Sequence, residues 1–131
     1  MAGAIASIQE KLQEHPELSV EHGEGFIRVL PRDAHGFAVG LHEPGGNIVV
    51  FFDGWHEEFE HAEEALDCFA MGLSDGARLK VVSRGGFDCS WTLETRQGAE
   101  WARYSTTGLL FFPFWQRKMT RYLQNHVIRG P

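Results

Sequence analysis

The sequence predicts one α+β domain: a mostly antiparallel sheet, laid out as two meanders around a central helix, with helices packed on one face. Three observations lead there. Short runs rich in Val, Ile, Phe and Trp lie on both sides of a single long helical pattern. Glycine-bearing turns, Glu43-Pro44-Gly45-Gly46, Arg84-Gly85-Gly86 and Arg96-Gln97-Gly98, are short enough to make consecutive strands antiparallel neighbours. The 131 residues match the size of one domain and contain no repeat or low-complexity linker at which to divide it.

The first element is a helix in which Ile5, Ile8 and Leu12 recur at helical spacing while Gln9, Glu10, Gln13 and Glu14 take the other face. His15-Pro16 ends it, since a residue before proline avoids helical geometry. Leu18 to Glu21 and Gly25 to Leu30 follow as a strand pair around His22-Gly23-Glu24, and Pro31 to Gly36 breaks the chain. Phe37, Val39 and Leu41 then alternate, and Asn47 to Asp53 forms the next strand. Ile48 to Phe52 is apolar throughout, which predicts burial on both faces.

Glu57 to Leu73 carries the central helix, with Phe59, Ala62, Leu66, Phe69, Ala70 and Leu73 as its apolar stripe and Ser74-Asp75-Gly76 as its stop. Three strands follow: Arg78 to Ser83, Phe87 to Thr95 and Glu100 to Ser105. In the middle one Phe87, Cys89, Trp91 and Leu93 share the packed face. Leu109 to Phe112 reads as a last short strand. Pro113 then opens a helix that aligns Trp115, Met119, Tyr122 and His126, with Arg117 and Arg121 opposite.

Charge is segregated along the chain. Residues 101 to 131 hold Arg103, Arg117, Lys118, Arg121 and Arg129 and no acid, whereas the whole chain carries −6. Glu57, Glu58, Glu60, Glu63, Glu64 and Asp67 crowd the central segment. This acidity argues against a nucleic-acid partner. The N-terminal apolar stretch lacks a basic leader and meets Gln9-Glu10-Lys11 early, and no apolar run approaches the roughly 18 residues that cross a bilayer. The expectation is a cytoplasmic protein with no membrane partner. Cys68 and Cys89 have neither metal nor redox spacing and are expected as free thiols.

No motif for chemistry survives inspection. His56-Glu57-Glu58-Phe59-Glu60-His61 resembles a zinc-protease helix, but its histidines are five apart and would point about 140° from each other. Glu57, His61 and Glu64 would share a helical face that looks into water, so no metal is expected. Asp53-Gly54 is turn chemistry, although Asp53 with His56 is the acid/base pair an enzyme would use. The glycine pairs lie between strands rather than ahead of a helix, so they cradle no phosphate. No nucleophile has a partner, and no cofactor is expected.

The aromatic residues remain. Trp91, Trp101, Arg103, Tyr104, Phe112 and Trp115 are the candidate binding residues, as core or as the lining of an apolar pocket. Glu57, Glu58, Glu63, Glu64, Arg117 and Arg121 are the candidate partner surface. The sequence therefore predicts a non-catalytic interaction domain that engages a protein partner through an acidic helix or an aromatic, basic C-terminal segment. The competing reading is a domain for a small apolar ligand, or a cofactor-free enzyme, with a cleft near Asp53, His56 and Trp115.

Overall fold

The computed structural model describes residues 3–43 and 45–127. Pro44 of the expected turn, Arg129 of the basic segment and the first two residues of the N-terminal stretch lie outside them. The expected α+β class holds. Two antiparallel sheets and two helices are built from α1 (Ala4–Leu12), β1 (Val20–Gly23), β2 (Phe26–Val29), β3 (Val39–His42), β4 (Ile48–Phe52), β5 (Trp55–Phe59), α2 (Ala62–Leu73), β6 (Ala77–Arg84), β7 (Phe87–Gln97), β8 (Glu100–Gly108) and β9 (Lys118–Leu123). Strands β1 to β5 form a sequential meander. The second sheet runs β8-β7-β6-β9, so the chain leaves one edge after β8 and returns on the other.

The expected central helix loses its first turn to a strand. Local propensity at Glu57-Glu58 favours helix, but Asp53-Gly54 closes a two-residue hairpin that pairs Phe52 with Trp55 and Ile48 with Phe59. Trp55 and Phe59 then face inward at period two and are buried, while His56 and Glu58 face out. Glu57 and Glu58 are consequently strand residues. The zinc-like segment is divided between β5 and the cap of α2, and the Glu57, His61 and Glu64 face does not exist.

Helix α2 begins with Glu63 and Glu64 in its first turn, where carboxylates favour the helix dipole. Ser74 closes it, its hydroxyl donating to the Met71 carbonyl at 2.8 Å and accepting from the Gly76 amide at 3.1 Å. Its buried side is Ala65, Phe69, Gly72 and Leu73, rotated from the expected stripe, so Ala62 and Ala70 are exposed. Gly72 is required here: a Cβ would come within 2.4 Å of the Phe52 ring.

The core lies between this helix and the inner sides of both sheets. Phe52 stacks on Trp55 with ring centroids 4.8 Å apart, and Val39, Leu41, Val50, Leu79 and Val81 close around them with no exposed surface. Burying residues of this size stabilises by about 1.5–3 kcal/mol each. Strand β4 is covered on one face only, contrary to expectation: Ile48, Val50 and Phe52 are buried, while Val49 and Phe51 line a shallow outer hollow with Val20 and Phe26. The sheets join where β5 meets β8. There Trp55 Nε1 donates to Ser105 Oγ at 2.9 Å and the Tyr104 hydroxyl donates to Glu57 at 2.8 Å.

The C-terminal expectation fails in one respect and matters for it. Residues 109–112 form no strand and Pro113 opens no helix; 118–123 is strand β9, paired with β6. Residues 109–117 are instead the crossover from one edge of the second sheet to the other. Linking those edges means crossing three interstrand gaps of about 4.8 Å at the sheet end.

Candidate interaction site

The crossover is fixed at both ends to the β6–β7 hairpin. The Leu109 amide donates to the Cys89 carbonyl at 2.9 Å, and the Gly85 amide donates to the Arg117 carbonyl at 3.0 Å. Gly85 and Gly86 both have positive φ, 58° and 84°, the backbone a tight two-residue hairpin demands and glycine supplies without strain. Within the loop the chain turns at Pro113, with Phe114 donating to Phe112 at 2.8 Å and Gln116 to Pro113 at 2.9 Å.

This geometry leaves no room inside for the side chains. Phe111 is 86% exposed, Leu110 85%, Trp115 71% and Phe114 69%. Phe114 and Trp115 meet edge to face at 5.3 Å, so they cover each other rather than the core. At about 150–250 Å² per aromatic side chain, Phe111, Phe114 and Trp115 alone present on the order of 400–500 Å². The largest apolar patch of an ordinary monomer is about 300–600 Å². Leu110 and Phe112, together with exposed Phe87 and Met119 on the adjoining strands, enlarge it further.

The surrounding charge is positive. Residues 84–88 and 109–121 carry Arg84, Arg117, Lys118 and Arg121 against a single acid, Asp88. Arg121 grips Asp88 with two bonds of 2.7 and 2.9 Å. That hydrogen bond holds the Asp88 carboxyl below its usual value and raises the Arg121 guanidinium. Arg84 reaches the Gln116 carbonyl at 3.4 Å.

The candidate binding residues do not converge. Trp91 pairs with Thr107 and Trp101 with Arg96, six residues apart along β8, a separation of about 20 Å. Trp91 lies over Gly54, and Trp101 stacks on Arg78, which is sandwiched against Tyr122 at 4.3 Å. Arg103 pairs opposite Glu94, and Tyr104 packs edge-on to Trp55. Only Phe112 and Trp115 of that set share the tip.

The partner-surface residues divide in the same way. Glu57 accepts from Tyr104 and Glu58 from Asn47, Glu63 and Glu64 look outward from α2, and Arg117 and Arg121 belong to the tip. Asp53 has φ 51°, the only positive value of a non-glycine among the described residues. Its carboxylate accepts from the Ala38 amide at 3.0 Å. Desolvation raises its pKa, against the lowering effects of that amide and of Arg121. The carboxylate thus serves the turn. His56 is exposed on β5 with its amide bonded to Thr107, and Trp115 is 71% exposed on the crossover between β8 and β9.

Among the described residues no group of three or more His, Cys, Asp or Glu is placed to hold a metal ion, and no helix is long and apolar enough to cross a membrane. Both cysteines are free. Burial pushes the Cys68 thiol up to about 12. Sequence reasoning missed Phe87, Met119 and Arg84 as members of the tip. The available signal was the Gly85-Gly86 turn, which places Phe87 at a sheet end. No family model, curated protein or solved structure matches this chain.

Proposed function

We propose that this chain is a non-catalytic docking domain and that the β8–β9 tip is the element by which it attaches to a partner. One observation carries the reading: of seven consecutive apolar residues, Leu109 to Trp115, six are exposed on a loop that is tied down at both ends. Exposure of this kind opposes solubility and persists where the surface is used. Its complement is an apolar surface bordered by negative charge. The acids of α2 have a lesser part. They are solvated, so they modulate encounter rates more than affinity.

The small-ligand reading has less support. A hollow of about 310 Å³ is lined by Arg32, His35, Phe37, Tyr122, Asn125 and His126. Several of its polar groups are engaged within the protein: Asn125 bonds to Phe37 and Gly72, Arg32 to Glu17, and Gln124 to the Asp75 carbonyl. A photo-crosslinking residue at Phe111, compared with one at Gln97 in the β7–β8 turn, tests the docking reading in the cell that makes the protein. Adducts at 111 and not at 97 are expected. An absence of adducts at 111, or equal labelling at both positions, would refute it.

A further inference from the structure

We infer that the surface on which the tip docks is an anionic lipid bilayer, with Phe111, Phe114 and Trp115 in the headgroup–acyl boundary and Arg84, Arg117 and Lys118 at the level of the phosphates. The inference rests on the docking reading above and names its target. Surface attachment needs no spanning helix, so the short apolar runs of this chain do not oppose it.

Exposure comes first. Leu110, Phe111, Phe114 and Trp115 are each at least 69% exposed within one crossover between β8 and β9. A bilayer surface accepts such an apolar cluster without a preformed complementary site. Composition comes next. From Leu109 to Trp115 no side chain can donate or accept a hydrogen bond except the Trp115 indole, and Trp is the residue type enriched at the membrane–water boundary. Protein hot spots mix aromatics with polar partners to a greater degree.

Charge decides between lipid and self-association. An isologous dimer through the tip would set Arg84, Arg117 and Lys118 of one copy against those of the other. A negative membrane surface attracts all three. Asp88, the acid within the tip, is paired with Arg121, and the acids of α2 are farther away: Glu64 and Asp67 share a hollow with Leu93 and Thr95, at least six residues along β7 from Phe87. That is about 20 Å, more than twice the roughly 8 Å screening length at physiological salt. The second sheet therefore presents Arg84, Arg117 and Lys118 beside the apolar tip, where the one acid, Asp88, is paired with Arg121.

The test is co-sedimentation of the full chain with phosphatidylcholine vesicles and with vesicles containing about one-third phosphatidylserine. Binding to the serine-lipid vesicles is expected, with weak binding to phosphatidylcholine alone. A blue shift of tryptophan emission should accompany it and be diminished in Trp115→Phe, which still binds. Arg117→Gln and Lys118→Gln should each weaken partition by about fivefold. Phe111→Ser/Phe114→Ser/Trp115→Ser should abolish binding while keeping the circular dichroism of the parent; the single Phe111→Ser serves if the triple variant is unstable. No binding to the serine-lipid vesicles, binding that survives the serine substitutions, or binding unchanged by Arg117→Gln and Lys118→Gln overturns the inference. If the vesicles fail while a crosslinker at 111 captures a polypeptide, the lipid target is wrong and docking stands; if 111 captures neither lipid nor polypeptide, docking itself falls.

Discussion

Asn125 is the side chain whose loss should cost most for its size. It follows β9, is 7% exposed and fastens the end of the second sheet to the rest of the molecule. Its Oδ1 accepts from the Phe37 amide at 3.1 Å, and its Nδ2 donates to the carbonyls of Phe37 at 3.0 Å and Gly72 at 2.9 Å. Asn125→Ala orphans one buried donor and removes a partner from two carbonyls. An unsatisfied buried group costs about 1–3 kcal/mol. With the amide counted fully and the carbonyls, which have second lone pairs, counted lightly, the loss is about 3 kcal/mol. Against a domain stability of about 5–15 kcal/mol that is large, and it corresponds to a fall in Tm on the order of 10 °C. Urea unfolding followed by circular dichroism at pH 7 measures it. A loss under about 1 kcal/mol, with the denaturant slope unchanged, would refute the reasoning, because it would mean that water or local relaxation replaces these three bonds.

Two further outcomes follow from the thiols and from the ion pair beneath the tip. Cys68, held near 12 against an ordinary 9.0, should have its thiolate-dependent alkylation at pH 8 suppressed about a thousandfold in the folded protein, with both thiols reacting in denaturant; rapid native labelling at Cys68 would contradict its burial. Asp88 titrates below its ordinary 3.8 because Arg121 stabilises its charged form. A depressed carboxyl contributes stability that is present above the unfolded value and is lost as pH falls through the folded one. Asp88→Asn should therefore cost less than about 1 kcal/mol at pH 7, since both partners are substantially exposed and screened. That deficit should close as the wild-type carboxyl protonates. Urea unfolding at pH 7 and in acid compares them, and a deficit independent of pH would show that the charge is not the cause.

Much of the fold was legible in the residues themselves. Proline and glycine punctuation marked α1, the strand pairs and the hairpins, because those signals act through the backbone of the residues that carry them. Asp53-Gly54 was readable as a turn for the same reason. Trp55 to Phe59 was not: Glu57 and Glu58 favour helix locally, and the pairing with Ile48 to Phe52 that overrides them is a matter of which strand lies alongside. Lys118 to Leu123 was misread likewise. Trp115, Met119 and Tyr122 fall on a helical period, but ladder bonds to β6 outweigh a helix that would have had no face to cover. Of the candidate site, the aromatic and basic composition of the C-terminal segment was visible, and its exposure was not.

By itself the amino-acid sequence determined the α+β class, the turns, the free cysteines and the separation of acidic from basic charge, all of which depend on residue type and near neighbours. Tertiary structure alone decided that Leu109 to Trp115 is surface rather than core. The same aromatics would be interior under any element that packed above them. They are exposed because β8 and β9 occupy opposite edges of one sheet, and the nine residues joining them must pass around its open end.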